Sequence, residues 1–459
     1  MIVPIPAKPE AFRLMMEGSQ ALTDVEQAGI KVDTAYMEKA IVKTEKTIDR
    51  LERELRSDQV FKVWRKKYGA NADLGKRAQL AQVIFGEMGY EAKLFTNTEQ
   101  MRTDEEAFED IDLPFIKKWT DREKLKRLLV SDLRGTQKLL DPDGFLHPSF
   151  GLHNAKTYRS NSDDPNFQNY PSRDQRLAKI IRTAFIPRSK DHLILEADFG
   201  ALEFRGAACF WQDPAMVDYA SDATLDIHRD MAAECYLLPK EQVTKATRGI
   251  AKNKFVFPVL YGSWWKNIGR HLWEFIGRTD LKTVDGVCLY KHLKTKGIHN
   301  LDQYLSHVQK VEESFGKRFS HWSSEKDVWW NDYQRKGEFP LKTGFVCRGV
   351  YSINNLMNYP IQGPSFHMLL WSLIQMVKWL KQYKMKSVVM GQIHDSIFMD
   401  VHRSEIQEVM NRLEKVMTVD VRKNWDWIVT PLEVEIELSA DNWYEKTEWT
   451  RQNGTWGPA

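Results

Sequence analysis

Apolar residues in the first quarter of the chain recur at heptad-like spacing. Residues 11–29 and 34–67 carry such positions, Ile41, Ile48, Leu51 and Leu55 among them, with Lys, Arg and Glu between. This pattern predicts long, partly exposed helices with the charges on the wet face. It stops over residues 141–175, which are dense in Pro, Gly, Asn, Asp and Ser and read as an extended loop region. A loop of that length in a compact protein is usually functional. HLILEADFG, residues 192–200, reads as a buried strand with Asp198 at its end. Residues 226–278 read as helical, residues 279–302 give no clear element, and residues 303–336 return to amphipathic helix. A core helix is expected from Gly363, with Leu369, Leu373, Met376 and Leu380 along one face. SVVMGQIHDSIFMDV, residues 387–401, reads as a hairpin with His394 and Asp395 at its tip. PLEVEIEL, residues 431–438, alternates apolar and acidic residues as a half-exposed strand does.

Composition narrows the class. The chain has 459 residues, 42% of them apolar and 28% charged, which fits a soluble globular protein of about three units. Lys and Arg number 66 against 63 Asp and Glu, so any basic surface must come from local clustering rather than from the net charge of +3. The four cysteines form no CxxC pair, which argues against a zinc site or disulfide framework and fits a reducing compartment. No apolar run is long enough to span a membrane and the N-terminus lacks a secretory pattern, so a cytoplasmic protein without a membrane partner is expected.

Clustering does occur. Between residues 240 and 270 there are seven Lys or Arg and one acid, Glu241. Arg248 and Lys252 are four apart and so project from one helical face; Phe257 and Tyr261, also four apart, follow them. Cations followed by aromatic rings suit a nucleoside triphosphate, although an ordinary basic amphipathic helix has the same spacing. Asp198 at a strand end and Asp395 at a hairpin tip are carboxylates on rigid elements. Two such groups can hold a pair of Mg²⁺ ions for in-line phosphoryl displacement. A strand-end aspartate alone is as readily a turn cap.

These residues resemble the motifs of family A (Pol I-like) DNA polymerases. LEADFGALEFRGAA resembles motif A, with Asp198, Phe199, Glu203 and Arg205 in its places. RGIAKNKFVFPVLYG resembles motif B and GQIHDSIFMDV motif C. DDPNFQNYPSR, the DIH at 226–228, NYPIQG at 358–363, ALTDVEQAGIKVD and NADLGKRAQLAQVIFGEMGY match further segments in the family's order. Only residues 279–302 look like an insertion without a counterpart.

The resemblance implies an α+β right-hand fold: a palm with an antiparallel sheet, helical fingers and thumb, and no exonuclease domain. The implied division is 1–30 palm entry, 31–145 thumb, 146–225 palm, 226–362 fingers and 363–459 palm. It implies Asp198 and Asp395 as ligands of two Mg²⁺ ions, with Mn²⁺ as a substitute. Arg248 and Lys252 would hold the triphosphate, Lys252 also donating a proton to the leaving group. His228 would contact a phosphate, Phe257 and Phe199 would lie by the incoming nucleotide, and Tyr261 would close the base-pair pocket. Glu203 would exclude a 2′-hydroxyl and so favour deoxynucleotides. Arg159, Asn169, Arg173, Gln362 and His394 match positions that touch primer or template. The implied partners are primer-template DNA, dNTPs, and a separate exonuclease or replication protein. FPVLYG and the missing exonuclease point to a phage or mobile-element origin, hence a host cytoplasm.

Two departures stand out. The family spacing is Arg-x3-Lys-x3-aromatic-x3-Tyr, but Lys252 to Phe257 is one residue longer. Either the helix carries a bulge or Lys254 takes the lysine's place. Ser396 stands where motif C usually has Glu; activity is expected to survive, because the family relies chiefly on the preceding Asp. Asp24-Val-Glu26 fits an exonuclease Asp-x-Glu motif literally, but it falls in a helical stretch without room for the other exonuclease carboxylates, so no intrinsic 3′–5′ proofreading is expected. The alternative readings are a catalytically inactive primer-template binding subunit, against which the retained Asp198, Asp395, Arg248 and Lys252 argue, and a single-subunit RNA polymerase, against which Glu203 argues.

Overall fold

The computed structural model describes residues 5–6, 8–96, 98–108, 111–277 and 281–459. The expectations for 1–30 and 279–302 therefore fall partly outside the described residues. Among the described residues no helix is long and apolar enough to cross a membrane.

A six-stranded antiparallel sheet lies at the centre. Its strands are β1 (His192–Phe199), β2 (Val388–Ile393), β3 (Ser396–His402), β4 (Val434–Ser439), β5 (Thr447–Gln452) and β6 (Thr455–Pro458), in the order β6-β5-β4-β1-β3-β2. Alternation along β1 decides its two faces. Leu193, Leu195 and Ala197 pack into the largest core, with Leu369, Leu370 and Leu373 of a long helix and Leu14, Leu22 and Val25 of the N-terminal helix. Ile194 turns the other way, towards Phe167, Phe185, Phe398 and Trp443.

The N-terminal helix α1 spans Pro9–Ala28 and is followed by α2 (Thr34–Ser57) and α3 (Gln59–Tyr68). Ile41, Ile48, Leu51 and Leu55 are all buried, as the heptad-like pattern requires. Beyond α2 a separate core forms around Phe61, Trp64, Phe115 and Trp119, on α3 and α4 (Pro114–Arg127). A second helical lobe holds α5 (Leu202–Trp211), α6 (Ile227–Tyr236), α7 (Lys245–Ala251), α8 (Phe257–Leu260), α9 (Trp265–Ile276), α10 (Leu301–Arg318) and α11 (Ser320–Lys336), around Tyr236, Phe255, Tyr304 and Phe315.

Four expectations need adjusting. Residues 141–175 are not one open loop: Phe145–Leu146 pairs with Ile30–Lys31, Ser149–Gly151 pairs with Asn161–Asp163, and Phe150, Leu152, Tyr158, Phe167 and Tyr170 are buried. Each is a single anchor between turns, so no period shows in the sequence. The helix expected from Gly363 begins at Ile353 and runs to Gln382 (α12), with Pro360 and Pro364 inside it. The 303–336 helix is two, meeting at Phe319. Part of the unread 279–302 stretch is ordered: Leu289–Thr295 is helical, and Leu281, Leu289, Leu293 and Ile298 are buried.

Candidate active site

The two aspartates meet on neighbouring strands. Antiparallel pairing sets Ser396 opposite Asp198, so Asp395 at the β2–β3 turn falls opposite Phe199, the last residue of β1. The Phe199 amide donates to the Asp395 carbonyl at 3.3 Å, which ties strand end to hairpin tip. His394 takes a left-handed φ of 50° to close this two-residue turn. The Gln392 side-chain amide donates to the His394 carbonyl at 2.5 Å and accepts from Ser160 Oγ at 2.6 Å and Gln168 Nε2 at 2.5 Å. The Asn/Pro/Ser-rich segment is thus keyed onto the tip, and it delivers Arg159, whose guanidinium lies 3.3 Å from Asp395 Oδ1.

Asp198 opens onto a cleft but is walled by protein elsewhere. That crowding, then the charges of Asp395, Glu196 and Glu435, pushes its carboxyl up to about 7, against the pull of Lys252. Glu435 is its rung partner on β4. The turn after β1 puts Ala201 in the left-handed region, φ 51°. Arg205 braces that turn: Nε donates to the Gly200 carbonyl at 3.2 Å, Nη1 to the Ala220 carbonyl at 2.9 Å, and Nη2 pairs with Glu433 at 2.7 Å. Phe199 borders the cleft, yet its ring is only 4% exposed and packs into the main core. Glu203, on the first turn of α5, is half-buried beside Tyr261. Burial and then the Asp395 charge raise its carboxyl, opposed by Arg159 and Lys252. Tyr261 also faces Gln362.

The cations come from one helical run. α7 passes through a π turn, Lys252–Val256, into α8. Pro258 has no N–H to give the Lys254 carbonyl, and its ring would clash there; widening the preceding turn relieves both. The π turn absorbs the extra residue. Lys252 Nζ lies 5.4 Å from the centre of the Phe257 ring, which stacks on Tyr261 at 6.1 Å, whereas Lys254 Nζ lies over Phe275 on another side. Lys252, rather than Lys254, therefore shares the cleft with Arg248. Arg248 is held by Asp226, Nε to Oδ2 at 2.6 Å and Nη2 to Oδ1 at 3.2 Å. Burial works against it, but the Arg248 guanidinium and the α6 backbone amides hold the Asp226 carboxyl below its ordinary value. His228 is 2% exposed, stands edge-on to Phe257 at 5.6 Å, and has no partner on either ring nitrogen. Burial, with the Lys252 and Arg248 charges, takes it down to about 3, so it is neutral at pH 7.

A cavity of about 430 Å³ joins Asp198, His228, Arg248 and Lys252. Carboxylate at one wall and cations at the other can hold a polyanion bridged by divalent ions. Among the described residues no three His, Cys, Asp or Glu converge on a single metal position. Asp198 and Asp395 are carboxylates that would fit Mg²⁺, an ion that keeps waters and takes substrate oxygens. Of the expected DNA-contacting residues, Arg159 and His394 flank Asp395, and Arg173 lies close enough for its charge to act on His394. Asn169 is the exposed last residue of the turn Phe167–Asn169, and Gln362 lies by Tyr261. Asp226, Gln392 and Glu196 went unassigned from sequence. Asp226 precedes His228 in the quoted DIH and Gln392 opens the hairpin tip, so proximity to a motif was their only signal.

A family model described as DNA polymerase family A matches residues 36–445. The DNA polymerase of Bacillus phage SP01 is 25% identical over 458 residues, covering 88% of this chain and 47% of that protein. The DNA polymerase I of Lactococcus lactis subsp. lactis (strain IL1403) is 26% identical over 430 residues, covering 93% and 45%. The chain thus spans about half the length of the curated relatives it matches. Among solved structures, the POL domain of Pol1 from M. smegmatis, in complex with DNA primer-template and dNTP, superposes with a TM-score of 0.74 at 21% identity, covering 94% of this chain and 70% of that one.

Proposed function

The chain belongs to DNA polymerase family A and has the α+β fold of its polymerase domains, and from that premise we propose that it extends a primer 3′ end with deoxynucleotides against a template by two-metal-ion nucleotidyl transfer. The observation that carries this reading is the meeting of Asp198, on β1, with Asp395, at the β2–β3 turn, where Asp198 shares a cleft with Arg248 and Lys252. The division into palm (1–30, 146–225, 363–459), thumb (31–145) and fingers (226–362) belongs to the same proposal.

Asp198 and Asp395 would hold two Mg²⁺ ions, or Mn²⁺ in their place. When bound, the ions supply charge for activating the primer 3′-hydroxyl and stabilising the leaving pyrophosphate. Arg248, oriented by Asp226, holds triphosphate oxygens, and neutral His228 donates one hydrogen bond to a phosphate. Lys252 neutralises the same oxygens and delivers a proton to the pyrophosphate. Phe257 and Phe199 border the nucleotide. Tyr261 and Glu203 together close the space near C2′, so a 2′-hydroxyl meets a half-buried carboxyl. Arg159, Asn169, Arg173, Gln362 and His394 contact primer or template without reading sequence. DNA affinity falls steeply with salt as Arg159 and Arg173 displace counterions.

Proofreading by these residues is not part of the reading. Asp24 pairs with Lys381 at 2.5 Å, and Glu26 accepts from the Phe150 amide at 2.6 Å, so the Asp-x-Glu pattern serves packing between elements. Mismatched-primer degradation that is lost in Glu26→Ala would overturn this. The deciding experiment is primer extension with Mg²⁺, comparing deoxy- and ribonucleotides, with Asp198→Ala as control. Extension with dNTPs that the control loses supports the proposal; primer-template binding without extension favours the inactive binding subunit.

A further inference from the structure

Behind Asp198 lies a second carboxylate that the reaction scheme does not use. Glu196 is two residues earlier on β1, hence on the same face of the sheet. Its Oε2 accepts from Trp443 Nε1 at 2.9 Å and pairs with Lys446 Nζ at 2.5 Å; its Oε1 lies 3.1 Å from Ser396 Oγ. Lys446 also pairs with Glu437, the rung partner of Glu196 on β4. Arg182 stacks 4.1 Å over the Trp443 ring and adds positive charge nearby. Ser396 is 2% exposed, and its Oγ is also 2.9 Å from the Ile393 carbonyl, so its single proton is shared between the two acceptors. Ser396 is the register partner of Asp198 and the immediate neighbour of Asp395.

The geometry points to Glu196 as a positioning residue for both aspartates, acting through Ser396, with Lys446 as the counter-ion that sets the negative charge behind the metal-binding rung. A short serine at 396 leaves room for a carboxylate from the adjacent strand. Glu196 anchors the Ser396 hydroxyl from below while the Ile393 carbonyl closes the turn from above, which fixes Asp395 relative to Asp198. Glu196, Lys446 and Glu437 together carry one net negative charge. Removing the cation makes the rung more negative and removing the acid makes it less so. Divalent-ion affinity should therefore move in opposite directions in the two variants, which a purely structural role does not produce.

This inference rests on the two-metal reading of Asp198 and Asp395. Its test is Mn²⁺ binding to the purified chain by electron paramagnetic resonance, alongside single-turnover primer extension and thermal melting. Glu196→Gln is expected to weaken Mn²⁺ binding about three- to tenfold, and Lys446→Met to tighten it about threefold. Ser396→Ala, the least disruptive change, should slow extension about tenfold with dNTP and primer-template affinities unchanged, and Ser396→Thr should restore most of the rate. Unchanged Mn²⁺ affinity in both charge variants, shifts of the same sign, or a Ser396→Ala rate equal to wild type overturns the proposal. If wild type binds Mn²⁺ in a manner lost in Asp198→Asn yet never extends a primer, the polymerase reading fails while the Mn²⁺ arms still decide the role of Glu196.

Discussion

Lys252 and Phe257 are five residues apart yet share one helical face, with the ammonium 5.4 Å from the ring centre. In an unbroken α-helix a five-residue separation turns the second side chain well away from the first; the π turn at Lys252–Val256 restores the alignment. The same turn sends Lys254 towards Phe275. Lys252→Ala should slow single-turnover primer extension by about a hundredfold or more, as the loss of a proton donor and phosphate ligand does. Lys254→Ala should stay within about threefold of wild type on the same scale. A larger effect at Lys254 would reverse the assignment.

Glu203 sits where Tyr261 and the Arg159–Asp395 pair converge. Glu203→Ala opens that space without removing a metal ligand. The kcat/KM preference for deoxy- over ribonucleotides should fall by at least about tenfold, through gain with ribonucleotides more than loss with deoxynucleotides. Parallel steady-state kinetics with both nucleotide sets check this.

Asp132 gives a pH signature away from the cleft. Burial pushes its carboxyl from 3.8 up to about 6, against the pull of Arg127. The folded state disfavours the ionised form, so the group costs nothing well below pH 3.8. The cost grows as pH rises from there through about 6, and is constant above. Asp132→Asn should therefore stabilise the protein by about 1–3 kcal/mol at pH 8, and by progressively less towards pH 4. Urea unfolding at several pH values measures the difference.

At Gly363, α12 packs against the segment carrying Arg159. A Cβ there would lie 2.7 Å from the Thr157 carbonyl oxygen and 2.9 Å from a Leu341 methyl group. Backbone cannot yield as a flexible side chain can, so Gly363→Ala should destabilise by about 1–3 kcal/mol. It should also weaken primer-template binding by displacing Arg159. Melting temperature and DNA affinity should fall together.

Much of this architecture is legible along the chain. Heptad-like spacing located α1 and α2, and apolar runs and alternation located the four strands β1–β4, because burial on one face forces periods of 3.6 and 2. The motifs, in their order, named Asp198, Asp395, Arg248, Lys252 and Glu203. The first ten residues of α12, before Gly363, show no helical signal in the sequence, because Pro360 is a residue that ordinarily ends a helix; packing holds it and Pro364 inside this one. Residues 141–175 hid their order because each buried ring there is an isolated anchor. Which lysine faces the cleft depends on the folded backbone, since a missing N–H at Pro258 reshapes the helix one turn earlier. The fold alone brought Glu196, Lys446 and Trp443 behind Asp198. Those contacts join residues up to 250 apart in the chain, and strand register and side-chain geometry in three dimensions, not spacing along the sequence, create them.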